Sequence, residues 1–154
     1  FIQQGDDSSD IAPIARIALE QVPERCVLVV DDDELACRML AGAFAARGFR
    51  AVVEPDGRAG LRRIADELLG LDLVVTDLRM PEMSGEELVF RVRHLGGEHD
   101  LPIVVASAHL TDETRARLDA LGVDAVLDKS LGPAQIAELA GTAYAEREAQ
   151  LGHS

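Results

Sequence analysis

Carboxylate, hydroxyl and amine side chains follow successive apolar segments of this sequence. They come where each segment ends: Asp31 and Asp32, then Asp77, Ser107 and Lys129. Three carboxylates held close together repel, and one like-charge pair at ~4 Å costs roughly 4 kcal/mol at an effective dielectric near 20. Such a cluster either takes up a proton or holds a cation, and oxygen-only ligands suit Mg²⁺ or Mn²⁺. A carboxylate can also be a nucleophile that forms an aspartyl-phosphate, with the ammonium and the hydroxyl binding the phosphoryl oxygens.

Each of these side chains also has a simpler structural interpretation. Asp33 suits a helix N-cap better than a ligand position, and Asp77 could cap the turn that follows it. Ser107 could bond the backbone at a strand end, and Lys129 could be a surface charge. The order of acid pair, acid, hydroxyl and amine along the chain is more specific than any one member, and it favours a functional site.

The segment 71–85 must position the third acid. Its apolar run at 73–75 leads to Asp77, the chain breaks at Met80 and Pro81, and Gly85 follows four residues later. This pattern predicts a buried strand that delivers Asp77 to its carboxyl end, followed by a loop. In open α/β sheets, ligands bind at that edge.

Strand and helix patterns alternate five times along the rest of the chain. Continuous apolar runs predict strands at 26–30, 49–53, 71–76, 103–106 and 125–127. Helical spacing predicts helices at 34–47, 59–69, 86–95 and 112–121, and from 133 to about 150. Five alternations indicate a parallel sheet with right-handed crossovers and helices on both faces. The polar residues that end the strands then meet at one edge.

Composition bounds the class of protein. The chain has 154 residues, of which 47% are hydrophobic and 28% charged, which fits one globular domain with short extensions. No apolar run approaches the ~18 residues of a membrane span, and no signal peptide is evident. The net charge of −13 argues against binding nucleic acid or an anionic membrane. Cys26 and Cys37 lack metal-site spacing and are predicted to be buried reduced thiols, which indicates the cytoplasm.

The ends of the sequence carry separate expectations. Residues 1–24 are interpreted as an extension or linker with a short helix at 11–22, either packed on the domain or tethering it to an upstream module. Residues 25–150 are predicted to form the domain, and 151–154 a tail. Because the sequence begins at Phe1 rather than Met, we expect it to be a fragment of a longer protein.

Over about residues 25–145 the sequence resembles the receiver domain of two-component response regulators. The resemblance rests on four segments: Val-Leu-Val-Val-Asp-Asp-Asp at 27–33, Val-Val-Thr-Asp-Leu-Arg-Met-Pro-Glu-Met-Ser-Gly at 74–85, Pro-Ile-Val-Val-Ala-Ser-Ala at 102–108 and Asp-Ala-Val-Leu-Asp-Lys at 124–129. It implies a flavodoxin-like (βα)5 fold, a doubly wound parallel sheet with strand order 2-1-3-4-5.

The resemblance also implies a function and a site. Asp77 would accept a phosphoryl group from a phosphohistidine on a histidine kinase or phosphotransfer protein. The implied Mg²⁺ or Mn²⁺ ligands are the carboxylates of three acids, the first through water, and one loop carbonyl; the implied phosphoryl contacts are a hydroxyl and an ammonium. These residues are Asp31, Asp32, Asp77 and Arg79 for the metal, and Ser107 and Lys129 for the phosphoryl group.

Three departures from the family pattern affect these expectations. Ser130 replaces the usual proline after Lys129, so the loop after the fifth strand is expected to be built differently. Val126 replaces the aromatic residue of the usual output switch, which puts that switch in doubt but not phosphorylation. Arg79 and His109 occupy the two positions that tune hydrolysis of the aspartyl-phosphate, and we predict that His109 influences its lifetime.

Two alternative functions stay open from the sequence. A degenerate receiver would act purely as a binding module. A haloacid-dehalogenase-like phosphatase would use Asp31 as its nucleophile, but that interpretation leaves Asp77 and its loop unexplained. Within the first class, the chain could belong to a hybrid histidine kinase or to a single-domain regulator, and the sequence leaves homodimerisation undecided.

Overall fold

The computed structural model describes residues 25–67, 70–95 and 100–152. The strands are β1 (Arg25–Val30), β2 (Phe49–Glu54), β3 (Leu73–Thr76), β4 (Ile103–Ser107) and β5 (Ala125–Asp128). The helices are α1 (Glu34–Ala45), α2 (Gly57–Asp66), α3 (Gly85–Arg93), α4 (Asp112–Ala120) and α5 (Pro133–Gly152), with a 3₁₀ turn at Lys129–Leu131 before α5. The helix predicted at 11–22 lies outside the described residues.

All five strands pair in parallel in the order β2-β1-β3-β4-β5, as predicted. The register aligns Val30 of β1 with Thr76 of β3, so the residues that follow these two strands leave the sheet side by side. Asp77 continues this pairing, because its N–H donates to the Val30 carbonyl at 2.8 Å. The central strands therefore bring their acids to one edge.

The core lies on both faces of the sheet because alternate residues of each strand point to opposite faces. Val27 and Val29 of β1 pack under α1 and α5, and Leu28 and Val30 pack under the helices of the other face. All four side chains are fully buried. Valine-rich strands buried on both faces are typical of parallel sheets covered by helices, and the rigid layer they form fixes the positions of the strand ends.

Several elements begin or end a residue or two away from their predicted bounds, and contacts explain two of these differences. β3 begins at Leu73 rather than at residue 71, because Asp72 instead uses its carboxylate to accept the Cys26 N–H at 2.7 Å. α2 begins at Gly57 rather than at residue 59, because Asp56 caps it by accepting the Ala59 N–H at 2.8 Å. In both places an aspartate side chain decides where the element begins.

Both cysteines are free and buried, as predicted. Burial, with a further contribution from Asp31, raises the pKa of Cys37 to about 11, so its thiol stays protonated at neutral pH. Among the described residues, no helix combines the length and the hydropathy that crossing a membrane requires.

Candidate functional site

Three aspartates meet at the carboxyl edge of the sheet. Carboxylate oxygens of Asp31, Asp32 and Asp77 all lie within 4.8 Å of one another. Asp31 is buried, Asp32 is exposed and Asp77 is intermediate, so the cluster opens from the core toward solvent. The sequence predicted this group, because two adjacent parallel strands end in these acids.

Lys129 joins two of the three acids. Its Nζ lies 2.7 Å from Asp31 Oδ2 and 3.2 Å from Asp77 Oδ2. The two carboxylate side chains retain only 6% and 11% of their exposure, so water screens these contacts poorly. The ammonium therefore offsets the repulsion between the acids, as a bound cation would.

The charges of this cluster shift its pKa values. Burial raises the pKa of Asp77, the neighbouring charge of Asp31 raises it further, and Lys129 only partly opposes both. Burial acts to lower the pKa of Lys129, but its hydrogen bond to Asp31 and the charges of Asp77 and Asp31 outweigh burial and raise it. Lys129 is therefore held charged, whereas burial and the neighbouring Asp31 disfavour the ionised form of Asp77.

The loop after β3 fixes the Asp77 carboxylate. The Leu78 N–H donates to Asp77 Oδ1 at 2.7 Å, which leaves Oδ2 for Lys129. The Gly85 N–H donates to the Leu78 carbonyl at 2.8 Å and closes the loop. A Cβ atom at Gly85 would lie 2.1 Å from the Asp77 carbonyl oxygen, so only glycine allows this close approach.

The acids that follow β1 make different contacts. Asp31 Oδ1 accepts the Asp33 N–H at 3.0 Å, which turns Oδ2 toward Lys129. Asp33 caps α1 by accepting the N–H groups of Leu35 and Ala36 at 3.0 and 3.1 Å, as predicted for this residue. The cap orients the first turn of α1 and leaves Asp31 and Asp32 as the acids of the cluster.

The remaining predicted residues lie at the same edge. Ser107 ends β4 fully buried, and its hydroxyl oxygen accepts the His109 N–H at 3.3 Å. Arg79 and His109 line one cleft between the β3–α3 loop and the start of α4. Their roles, and the effect of His109 on phosphoryl lifetime, stay predictions.

The loop after β5 is a 3₁₀ turn capped by a side chain. Asp128 accepts the Ser130 N–H at 2.8 Å, and Gly132 ends the turn with a φ of 88°. Proline has no N–H, so a proline at position 130 could not make this bond. This 3₁₀ turn, rather than a proline after the lysine, therefore positions Lys129 and its ammonium at the end of β5.

Comparisons with known proteins agree with this geometry. The family model described as "Response regulator receiver domain" matches residues 27–140. The sensor histidine kinase RcsC of Escherichia coli (strain K12) is 29% identical over 144 residues, which is 94% of this chain but only 15% of that protein. The two-component response regulator ORR11 of Oryza sativa subsp. indica is 27% identical over 128 residues, covering 83% of this chain and 86% of that protein.

Solved structures show the same architecture. The chemotaxis protein CheY4 of Vibrio cholerae has a TM-score of 0.68 and 25% identity, covering 75% of this chain and 94% of that one. The family match supports the receiver interpretation over the phosphatase alternative. The chain belongs to the response regulator receiver domain family, whose general function in two-component signalling is to be phosphorylated on an aspartate by a kinase.

Proposed function

We propose that Asp77 is the phosphoacceptor of this receiver domain. The observation that carries the proposal is the Asp77 carboxylate in the three-acid cluster, with Oδ1 on the Leu78 N–H and Oδ2 at 3.2 Å from Lys129. Asp31 is a poorer candidate because it is more deeply buried. One of its carboxylate oxygens accepts the Asp33 N–H, and the other lies 2.7 Å from Lys129 Nζ.

The cluster fits a divalent cation. Its donors are all oxygens, and their mutual repulsion favours a bound positive charge. We propose Mg²⁺ or Mn²⁺, held by Asp32, Asp77 and the Arg79 carbonyl, with Asp31 acting through water. When bound, such an ion neutralises charge on a transferring phosphoryl group.

The chain's own residues would position and neutralise the phosphoryl group. As the new bond forms between an Asp77 oxygen and phosphorus, the bond between phosphorus and the donor's histidine nitrogen breaks, and the nitrogen keeps the electron pair. Lys129 would move its contact from the carboxylate to a phosphoryl oxygen. Ser107, buried at the end of β4, would donate its hydroxyl to another.

The donor is proposed to be a histidine kinase or a phosphotransfer protein, and no role in binding nucleic acid or membrane is proposed. Because the chain spans 15% of the RcsC kinase it matches, attachment to a hybrid histidine kinase in the cytoplasm is also a proposal. In that arrangement residues 1–24 would serve as a linker, 25–150 as the receiver and 151–154 as a tail. A second copy of the chain remains a further candidate partner.

Phosphorylation by a small donor tests the proposal directly. We expect incubation with acetyl phosphate and Mg²⁺ to add the mass of one phosphoryl group to the wild-type chain and none to Asp77→Asn. Asp100→Asn, at an exposed position that precedes β4 and pairs with Arg147, is the matched control and should label normally. An unlabelled wild-type chain would favour a binding module, and turnover of a phosphomonoester would favour a phosphatase.

A further inference from the structure

Three polar or charged residues are buried in the described part of the chain, and all three end strands or follow them at the carboxyl edge. They are Asp31 at 5% exposure, Ser107 at 1% and Thr76 at 1%. The proposed function uses the first two and leaves Thr76 without a role. A buried hydroxyl costs free energy unless it is hydrogen-bonded, so its partner indicates what it does.

The Thr76 hydroxyl contacts the backbone of the proposed phosphoacceptor. Thr76 Oγ1 donates to the Asp77 carbonyl oxygen at 2.8 Å. The same carbonyl lies close to Gly85, where any Cβ atom would collide with it. The carbonyl is therefore held between a hydroxyl and the chain of the returning loop.

This bond fixes the peptide plane that orients the carboxylate. The carbonyl of Asp77 and the N–H of Leu78 belong to one planar unit. Thr76 binds the oxygen of that unit, and Asp77 Oδ1 accepts its N–H at 2.7 Å. If the plane tilts, the N–H leaves Oδ1 and the carboxylate loses the bond that directs it.

From this connection we propose that Thr76 is a positioning residue for phosphorylation of Asp77. The hydroxyl does not touch the phosphoryl group; it acts through the 77–78 peptide. The inference rests on the proposed function, because it assumes that Asp77 is the residue modified. Small displacements of a reacting group lower the rate of a reaction that depends on orientation, so the expected effect is on rate more than on binding.

The test compares the initial rates of acetyl phosphate labelling of three purified variants in saturating Mg²⁺. Thr76→Val keeps the shape of the side chain and lacks the hydroxyl, and its maximal rate should fall about tenfold, the loss expected for one net hydrogen bond. Thr76→Ser restores the hydroxyl and should stay within about twofold of wild type. The acetyl phosphate concentration at half-maximal rate should change little in either variant.

Ile64→Val controls for stability, because Ile64 is fully buried in α2 and lies outside the proposed site. It should lower the urea midpoint without changing the labelling rate. If Thr76→Val does not fold, Thr76→Ala compared with Thr76→Ser provides the same contrast. Equal rates for the Val and wild-type chains, or equal losses for Val and Ser, would overturn the positioning role, whereas an unlabelled wild-type chain would overturn the proposed function itself.

Discussion

The two edges of the sheet use aspartates in opposite ways. At the amino edge, Asp72 and Asp124 each lie one residue before a strand and accept the N–H of a neighbouring strand, Asp72 from Cys26 at 2.7 Å and Asp124 from Ile103 at 2.8 Å. At the carboxyl edge, Asp31 and Asp77 face each other across a single ammonium. The first pair satisfies donors, while the second gathers like charges.

Asp124 shows how fully the amino edge is compensated. Its carboxylate also pairs with Arg147 of α5 and lies 3.8 Å from the Arg93 guanidinium of α3. Arg93 in turn donates to the carbonyls of Leu101 and Gly122, both at 2.8 Å. The Asp124 carboxylate thus joins α3 and α5 to the starts of β4 and β5. Two guanidinium groups of the protein compensate its charge.

The two edges differ in how well the charges of their aspartates are compensated. Burial and like charge raise the pKa of Asp77, so its ionised form carries an energetic cost. Under the proposed function, a bound cation or a transferred phosphoryl group would relieve that cost. At the amino edge, by contrast, hydrogen bonds and ion pairs compensate the aspartates. The same substitution, aspartate to asparagine, should therefore have opposite effects at the two edges.

Asp124→Asn should give the largest change in stability. Asparagine keeps an acceptor for Ile103 but removes the carboxylate charge beside two largely buried guanidinium groups. Arg147 then keeps only its 3.4 Å contact with the more exposed Asp100. We expect the free energy of unfolding to fall by about 2–3 kcal/mol. Urea denaturation followed by far-UV circular dichroism measures the change.

Labelling of the same variant by acetyl phosphate separates the two edges. Well below its urea midpoint, Asp124→Asn should be phosphorylated at the wild-type rate, because its contacts lie at the opposite end of the strands. A loss of labelling in the folded variant would show that the edges are not independent.

The sequence predicted the carboxyl edge better than the amino edge. Asp31, Asp77 and Lys129 each end an apolar run, and parallel strand order alone brings such residues together. The partners of Asp124 lie more than 20 residues away on two helices, and no local pattern marks them. The fold and the acid cluster were therefore predictable, and the network that stabilises them was not.

Side-chain bonds to the backbone were also beyond local patterns. From the sequence, Thr76 cannot be told from an ordinary β-branched residue at the end of a strand. The sequence does not reveal which carbonyl accepts a hydrogen bond from its hydroxyl. The early start predicted for β3 has the same origin, since Asp72 continues the extended pattern while its carboxylate replaces a ladder bond. The partner of Asp72 lies on another strand. The partner of Thr76 is the carbonyl of the next residue, which the loop returning at Gly85 approaches closely.

The second-largest expected effect is a gain in the free energy of unfolding when Mg²⁺ binds at the carboxyl edge. An ion that binds the folded state alone stabilises it by RT ln(1 + [L]/Kd), which is about 1–3 kcal/mol between ten and one hundred times Kd. We expect this gain in the wild-type chain and in Asp124→Asn, and its loss in Asp32→Ala. Urea midpoints at increasing MgCl₂, with ionic strength kept constant by NaCl, measure the gain.

A general salt effect would raise the urea midpoint of every variant, whether or not the acid cluster is intact. If NaCl alone reproduced the gain, or if Asp32→Ala kept it, the acid cluster would not be the cation site. The exposed position of Asp32 makes this variant suitable, because little packing is lost with its side chain.

Asp77→Asn should have the smallest effect and the opposite sign to Asp124→Asn. The raised pKa of Asp77 shows that its surroundings disfavour the charged form, chiefly through burial and then through Asp31. Asparagine removes that charge and keeps an oxygen for the Leu78 N–H, while Lys129 retains its 2.7 Å contact with Asp31. Without Mg²⁺ at neutral pH, we expect unfolding to cost about 1 kcal/mol more than in the wild type. Urea midpoints of Asp77→Asn and Asp124→Asn, measured side by side, test the sign of the change. A destabilised Asp77→Asn would mean that the ion pair with Lys129 outweighs the repulsion from Asp31. The carboxyl edge would then stabilise the fold, as the amino edge does.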